Sequence, residues 1–202
     1  MIKLLIASTN EGKINEYRQL FGGLALEIVN PREQGLDIKV EEGDISMDEN
    51  ARLKAEAYAK ASGILTLADD SGLWVDALDG EPGIHSARYA GENASDAERV
   101  QYLLSRLKDV KQDKRTARFK CSIAIARPDD GVEFFHGECE GMITLEPRGE
   151  GGFGYDPVFY VPEYNKTMAE LTPDEKNNIS HRARAARQAR KILQGIIGNI
   201  DG

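Results

Sequence analysis

Two adjacent carboxylates, Asp69 and Asp70, are the residues of this chain best placed for acid–base or metal chemistry. They follow the apolar run 64–68 and precede a Ser-Gly pair. The run is short and bounded by turn residues, which predicts a buried strand that ends at Ala68. In open α/β sheets, ligands bind at the carboxyl ends of the strands. We therefore expect both aspartates to lie in a loop at an active site.

A second acidic group, formed by Glu41, Glu42 and Asp44, precedes a predicted helix. With the aspartate pair it offers hard oxygen ligands, which suit Mg²⁺ or Mn²⁺ better than zinc or copper. The alternative is that an acidic chain simply has acidic surface loops. Taken alone, the second acidic group would be explained by this alternative. Side chains alternate between the faces of a strand, so Asp69 and Asp70 reach one metal only if the strand has ended. One aspartate is therefore expected to support the site instead.

The segment STNEGK, which begins at Ser8, lies between a predicted strand and a predicted helix. It is not a Walker motif, which requires glycine at Ala7 and a hydroxyl residue at Ile14. Helix N-terminal amides, the hydroxyls of Ser8 and Thr9, and the Lys13 ammonium can still hold phosphate oxygens. The alternative is a solvated connection, and this segment alone does not decide between them.

A glycine-rich segment, GEGGFG, begins at Gly149 and matches GxGxxG literally. A dinucleotide-binding unit needs a helix next, whereas Tyr155, Asp156 and Pro157 follow here. The segment offers aromatic faces at Phe153 and Tyr155 for stacking on a planar ring, with a carboxylate nearby. The alternative is a structural loop whose glycines adopt positive φ.

The last predicted helix begins with the cations His181 and Arg182, a placement that the helix dipole disfavours. A ligand would explain it, and Lys176 lies just upstream. The later basic residues of this helix are expected on a solvated face. Trp74 lies in a short apolar run and is expected in the core.

Composition bounds the function. The chain has 202 residues and a formal net charge of −8, which argues against binding to nucleic acid or an anionic membrane. No apolar run reaches the length of a signal-peptide core or a membrane span, so a cytoplasmic location is expected. Cys121 and Cys139 form no disulfide framework and no zinc pattern; reduced thiols are expected.

Periodicity and capping signals predict an alternation of strands and helices. Ser46 with Glu49 and Ser95 with Glu98 have capping-box spacing, as do Thr172 and Glu175. The expected fold class is α/β: a single domain over residues 1–202 with a mixed central sheet flanked by helices, in two lobes with the active-site cleft between them. The predicted strands are 3–7, 24–29, 64–68, 119–127, 132–139, 142–145 and 158–161; the predicted helices start near residues 14, 46, 95, 172 and 181.

Four segments together resemble the inosine triphosphate pyrophosphatase family, the Ham1-like enzymes that hydrolyse non-canonical purine nucleoside triphosphates. They are STNEGK, ADDSGLWVDALDGEPGIHSARY, GGFGYDPVF and EKNNISHR, in the family's order and over nearly the whole chain. The resemblance implies a homodimer that hydrolyses ITP, dITP and XTP to the monophosphate and pyrophosphate with Mg²⁺, and with Mn²⁺ as a substitute.

The resemblance also implies roles for individual residues. Asp70 would be the catalytic base and, with Glu41, a metal ligand; alignment back from Asn50 favours Glu41 over Glu42. The implied substrate-binding residues are Ser8, Thr9, Asn10, Glu11, Gly12, Lys13, Ser71, Phe153, Gly154, Tyr155, Asp156, Lys176, His181 and Arg182.

The chain departs from the family pattern at residues 43–47, GDISM, and at Trp74, where a smaller residue is expected. Two other functions stay open. A Maf-type pyrimidine triphosphate pyrophosphatase would have a basic, serine-rich first loop in place of STNEGK. A non-catalytic nucleotide sensor would have lost the acid pair, which is intact here.

Overall fold

The computed structural model describes residues 2–41, 43–129 and 131–198. Within them it contains eight strands and five α-helices. The strands are β1 Ile2–Ile6, β2 Leu26–Val29, β3 Leu65–Val75, β4 Pro82–Gly83, β5 Thr116–Ala126, β6 Val132–Ile143, β7 Phe159–Val161 and β8 Lys166–Thr167. The helices are α1 Glu11–Leu20, α2 Met47–Ser62, α3 Asp96–Arg106, α4 Pro173–Ile179 and α5 His181–Gly198.

The strands form a mixed sheet in the order β2-β1-β3-β5-β6-β7-β8, and β4 pairs with β3. Strand β1 is parallel to β2 and β3, whereas β7 is antiparallel to β6 and β8. The predicted α/β class with a mixed sheet and flanking helices is confirmed.

The chain divides into two compact units. The first comprises Met1–Asp70, Cys121–Gly137 and Arg182–Gly202 and carries α1, α2 and α5. The second comprises Ser71–Lys120 and Glu138–His181 and carries α3 and α4. Strand β3 passes from the first unit to the second between Asp70 and Ser71.

In the first unit, helices cover both faces of the sheet. Leu4 and Ile6 of β1 pack with residues of α1 and α5, whereas Leu5 packs with the alanines of α2. This division follows from the alternation of side chains along a strand. Small residues at Ala51 and Ala55 bring α2 close to its face of the sheet.

The core of the second unit contains Leu73 and Val75 of β3, Phe119 and Phe159, whose ring centroids lie 4.4 Å apart. Helix α3 adds apolar residues at the helical spacing predicted for it, including Val100 and Leu103. None of the helices in the described ranges is long and apolar enough to cross a membrane.

The starts of α2, α3 and α4 can be compared with the capping boxes predicted for them. Ser95 with Glu98 and Thr172 with Glu175 form complete capping boxes. At α2 the box is half formed: Ser46 caps the amide of Glu49, but the Glu49 carboxylate binds Arg52. All three predicted starts are confirmed.

Two predicted strand boundaries are wrong. Strand β3 does not end at Ala68 but continues through Asp69 and Asp70 to Val75, where β4 pairs with its last residues. Residues 142–143 are the end of β6 and not the start of a separate strand. The last residues of β3 pair with β4 and those of β6 pair with β7, and the local patterns of the two strands do not reveal these partners. The predicted turn at 128–131 includes Asp130, which lies outside the described residues.

Trp74 lies over a glycine turn in the second unit. A Cβ at Gly80 would be 3.3 Å from the indole and one at Gly83 would be 3.4 Å from it. The Lys120 ammonium lies 5.4 Å from the ring centroid. The large residue at this position is therefore accommodated by glycines, and it is half-buried instead of fully in the core.

Candidate functional site

The predicted phosphate loop becomes the first turn of α1. Ser8 accepts a hydrogen bond from the Asn10 amide at 3.2 Å, and Asn10 caps the helix by accepting from the Lys13 amide at 3.1 Å. Thr9 and Glu11 are exposed. The arrangement leaves a solvent-facing helix N-terminus, which favours anions through its amides and its dipole.

Asp69 lies behind this turn and is almost fully buried, with 3% of its surface exposed. Its Oδ1 lies 3.1 Å from the Lys13 ammonium, and its Oδ2 accepts from Nε and Nη2 of Arg182 at 3.2 and 3.0 Å. Lys54 donates to the Asp69 carbonyl at 2.9 Å. Burial by itself would raise the pKa of Asp69, but the three cations outweigh it and hold that pKa well below its ordinary value. Asp69 is therefore an ionised anchor for cations.

Arg182 is buried within the first unit, with 1% exposed. Besides Asp69 it donates to Glu16 at 2.7 Å. Burial lowers the pKa of Arg182, but the surrounding anions, Asp69 first among them, raise it well above its ordinary value. The guanidinium is engaged with two carboxylates, one on β3 and one on α1.

Asp70 lies on the opposite face of β3 from Asp69, because the strand continues through both residues. It is 8% exposed, and its Oδ2 accepts from the Asn50 amide at 3.2 Å. Asn50 also binds the Gly43 backbone, accepting from its amide at 2.8 Å and donating to its carbonyl at 3.1 Å. One side chain thus ties Asp70 to the loop that follows Glu41.

Two candidate magnesium ligands, Asp70 and Glu41, lie on a strand and on the loop that Asn50 connects to it. Glu41 is exposed and lies two residues before Gly43; Glu42 is outside the described residues. Within the described ranges, no three His, Cys, Asp or Glu side chains converge into a metal cluster. Magnesium is commonly held by one or two carboxylates together with substrate phosphates. Asp70 and Glu41 are hard oxygen donors of this kind.

In the second unit, Asp156 organises the glycine-rich loop. Its Oδ2 accepts from the Phe153 amide at 2.9 Å and from the Lys176 ammonium at 2.5 Å. Lys176 also lies 4.9 Å from the centroid of the Phe153 ring. Asp156 and Lys176 are both buried. Three predicted binding residues from two separate motifs therefore form one cluster.

The remaining predicted residues of the second unit have different environments. The Tyr155 ring is buried in the core and its hydroxyl donates to the Ser86 carbonyl at 2.9 Å. Burial raises the pKa of Tyr155 well above its ordinary value. Phe153 is partly exposed, so it is the ring of the pair that can stack on a ligand.

His181 is buried and stacks on Phe119, with ring centroids 4.7 Å apart. Ser71 follows Asp70 on β3 and is partly exposed.

Gly154 is held through its backbone. Its amide donates to Asp96 Oδ2 at 2.6 Å, and Asp96 is also paired with Arg99. Asp96 is the first residue of α3, so this contact fixes the loop to the helix start. The contact links residues 58 positions apart in sequence.

Sequence patterns alone missed four residues that hold the site: Asn50, Lys54, Glu16 and Asp96. A signal existed for the first two. Asn50 and Lys54 are polar residues four positions apart on α2, and each lies beside an alanine of the helix face that packs on the sheet. A polar side chain next to a buried face needs a hydrogen-bond partner. Glu16 and Asp96 gave no such signal, because their partners are distant in sequence.

Comparisons with known proteins agree over almost the whole chain. A sequence model described as "Ham1 family" matches residues 4–192. A dITP/XTP pyrophosphatase from Halalkalibacterium halodurans is 48% identical over 96% of this chain and 100% of its own length. The structure of a Ham1 protein from Coxiella burnetii is similar with a TM-score of 0.86 and 43% identity, covering 96% of this chain and 100% of that one. The Ham1 protein of Staphylococcus aureus has a TM-score of 0.83 and 45% identity over 96% and 98% of the two chains.

Proposed function

The chain belongs to the Ham1 family, and from that premise we propose that it hydrolyses the non-canonical purine nucleoside triphosphates ITP, dITP and XTP. The products are the nucleoside monophosphate and pyrophosphate, and the reaction removes these nucleotides from the pool. One observation carries the proposal. Asp69 and Asp70 lie on opposite faces of β3, where Asp69 is held by Lys13 and Arg182 and Asp70 is connected through Asn50 to the loop after Glu41.

The triphosphate would bind at the start of α1. Ser8, Thr9, Asn10, Glu11, Gly12 and Lys13 supply helix N-terminal amides, hydroxyls and one ammonium. Lys13 is the member of this segment that adds positive charge, and its contact with Asp69 directs it. The Glu11 carboxylate opposes an anion, so we expect its contribution to come through its backbone.

Magnesium is part of the proposal, with Glu41 and Asp70 as the residues that would hold it and Mn²⁺ as a substitute. When bound, the ion would withdraw charge from the phosphate chain and orient the water. The support is the connection of Asp70 through Asn50 to the loop after Glu41, together with the hard oxygen donors on both sides.

Asp70 would act as the general base. It takes the proton of a water molecule as the water oxygen attacks the α-phosphorus, and the bond from that phosphorus to the α,β-bridging oxygen breaks. Pyrophosphate leaves with the electron pair. Phosphoryl-group chemistry depends mainly on positioning and charge stabilisation, so no covalent nucleophile is required.

We assign recognition of the base and sugar to Ser71, Phe153, Gly154, Tyr155, Asp156, Lys176 and His181, with Arg182 as the family resemblance implies. A donor that meets the purine 6-position favours the carbonyl of hypoxanthine or xanthine over the amino group of adenine. Lys176 is a donor next to a partly exposed aromatic ring, which is the combination such a base requires.

A homodimer and a cytoplasmic location complete the proposal. Their support is the family membership and the nature of the substrate, a component of the soluble nucleotide pool.

The experiment is pyrophosphate release from ITP, XTP, dITP, GTP, ATP and UTP, with and without Mg²⁺, for the native chain and for Asp70→Asn. We expect Mg²⁺-dependent turnover of ITP, dITP and XTP far above the others, lost in the variant. ITP binding without turnover would indicate a sensor instead. A preference for UTP would indicate the Maf-type activity.

A further inference from the structure

Two consecutive amides of the glycine-rich loop donate to two different carboxylates. The Phe153 amide donates to Asp156 Oδ2 at 2.9 Å, and the Gly154 amide donates to Asp96 Oδ2 at 2.6 Å. Asp156 is a residue of the loop itself, whereas Asp96 lies 58 positions before Gly154, at the start of α3. The peptide that follows Phe153 is therefore held by a side chain from outside the loop.

The carboxylate of Asp96 is not needed to cap α3. Ser95 and Glu98 form the complete capping box of this helix. A negative charge in the first turn is also favoured by the helix dipole, but this preference does not fix the partner of either oxygen. The two oxygens have separate partners: Oδ1 is paired with Arg99, and Oδ2 accepts from the Gly154 amide. One carboxylate thus connects the loop to a guanidinium on the helix.

Arg99 ties together the segment 87–96, which leads into α3. Its Nη1 donates to the Ala87 carbonyl at 3.0 Å and also to the Ala94 carbonyl, and its Nη2 binds Asp96. The Arg99 side chain is 17% exposed, so these contacts are largely enclosed by protein. They join the beginning of the segment to its end, and they fix the carboxylate that the loop meets.

The residue before this segment holds the next residue of the loop. The Ser86 carbonyl accepts from the Tyr155 hydroxyl at 2.9 Å. The Ser86 hydroxyl donates to the Gly83 carbonyl at 2.6 Å and accepts from the Leu73 amide at 2.8 Å, which fixes Ser86 against β3. The adjacent residues Gly154 and Tyr155 are therefore held near the two ends of one closed segment.

We propose that Asp96 and Arg99 are positioning residues for recognition of the purine base. They hold the Gly154 peptide, and the ring of Phe153, which precedes it, thereby keeps one direction toward the base. This ring is partly exposed, and its centroid lies 4.9 Å from the Lys176 ammonium. The proposal rests on the proposed function for the identity of the base.

The test compares a ligand that has a base with one that has none. IMP carries hypoxanthine, whereas inorganic tripolyphosphate carries phosphates alone. Calorimetry gives the Kd of each for the native chain, Asp96→Asn and Arg99→Lys. An amide has one acceptor oxygen, so Asp96→Asn can serve Arg99 or Gly154 but not both. Arg99→Lys keeps the charge but loses the planar fork that reaches three acceptors.

We expect the Kd for IMP to rise about fivefold in both variants, which is the scale of a half-exposed, charge-assisted contact. The Kd for tripolyphosphate should stay at its native value. In steady-state assays the KM for ITP should rise with the Kd for IMP, while kcat changes by less than about twofold. Glu92→Gln is the matched control, because it removes one exposed carboxylate from the same segment, and it should leave both Kd values unchanged.

A double-mutant cycle with Phe153→Leu separates positioning of the ring from a general loss of structure. If Asp96 acts through the ring, Asp96→Asn should change the Kd for IMP by less than about twofold once the ring is gone. Thermal unfolding of each variant sets an assay temperature at which all are folded.

Three results would overturn the proposal. The first is an equal rise of both Kd values in Asp96→Asn, which would indicate a change in the whole fold. The second is full additivity of Asp96→Asn and Phe153→Leu, and the third is a native Kd for IMP in both variants. A native chain that binds tripolyphosphate but not IMP would overturn it as well. If the native chain binds IMP but does not hydrolyse ITP, the proposed function fails while this test still gives its answer.

Discussion

Asn50 is hydrogen-bonded to Asp70, with its Nδ2 3.2 Å from Oδ2 of the carboxylate. The same amide group binds both polar atoms of the Gly43 backbone. Asn50 is 2% exposed, so its side chain is enclosed by protein atoms. The Asn50 amide therefore aligns β3, which carries Asp70, with the loop that follows Glu41. Asp70 and Glu41 are the two proposed metal ligands.

Asn50→Ala should reduce catalysis more than it reduces folding stability. The Gly43 amide and carbonyl lose their partner, which costs about 1–3 kcal/mol where such groups stay buried. The loop after Glu41 would also lose its alignment with Asp70. We expect kcat to fall at least tenfold and the Mg²⁺ concentration for half-maximal activity to rise. The measurement is ITP turnover across a Mg²⁺ titration.

Glu56→Ala on the same helix is the control, since it removes an exposed contact with Arg52. It should leave the Mg²⁺ dependence unchanged. An Asn50→Ala variant with the native Mg²⁺ curve and native kcat would show that the amide does not align the site.

Cys121 is predicted to be unreactive in the folded protein. It is 1% exposed, and burial, followed by the charge of Asp69, raises the pKa of its thiol to about 12. The thiolate is the reactive form, so the native thiol should not be modified at pH 8. Cys139 is also buried. We expect negligible reaction with a disulfide reagent in buffer.

Unfolding in urea provides the control for this prediction. Two thiols per chain should then react, which matches the two cysteines of the sequence. Rapid modification of Cys121 in the native protein would show that the sheet opens around it.

The parts of the fold that follow from local patterns were predictable. Hydroxyl residues at Ser95 and Thr172 cap helices because the orphan amides there need acceptors, and the acid three residues later completes each box. The exposed helix start after Asn10 was predictable in the same way, because STNEGK lies between a predicted strand and a predicted helix. In each case the partners lie within a few residues.

The parts that depend on distant partners were not predictable. The far end of β3 pairs with β4 at Leu73 and Trp74, and the Asp69–Arg182 contact joins residues 113 positions apart. The sequence indicated that one aspartate supports the other. The family resemblance pointed to Asp70 as the catalytic one, and the tertiary contacts show that Asp69 is the aspartate bound by Lys13 and Arg182.

Asp48 should make the stability of the first unit depend on pH. Its carboxylate accepts from the Ser122 hydroxyl at 2.6 Å and lies 2.7 Å from Nε2 of His136. Burial raises its pKa, but these two contacts outweigh burial and lower the pKa below its ordinary value. A lowered pKa means that Asp48 stabilises the fold above its ordinary pKa, near 4. This stabilisation is lost as the pH falls toward the lower folded-state value.

We therefore expect Asp48→Asn to be less stable than the native chain at pH 7, by no more than about 1 kcal/mol because the carboxylate is half-exposed. The difference should decrease as the pH falls below the ordinary pKa toward the lower folded-state value. Urea unfolding of both proteins across this range measures it, with the exposed Asp109→Asn as the control variant. A difference that grows on acidification would contradict the assigned direction.

Gly152 and Gly154 provide a matched pair for testing the loop around Asp156. Both have positive φ, +72° and +64°, so a side chain is strained at either position. A Cβ at Gly152 would also be 2.0 Å from Oδ2 of Asp156, whereas a Cβ at Gly154 meets no atom within 4 Å. The difference between the two alanine variants isolates the contact with Asp156.

Gly154→Ala should cost about 1–2 kcal/mol from backbone strain alone. Gly152→Ala should cost more, because it displaces the oxygen that holds both Phe153 and Lys176. We expect its KM for ITP to rise further than that of Gly154→Ala, while the Kd for inorganic tripolyphosphate stays native in both. Thermal unfolding and steady-state kinetics make the comparison. Equal KM values would show that Asp156 does not organise recognition of the base.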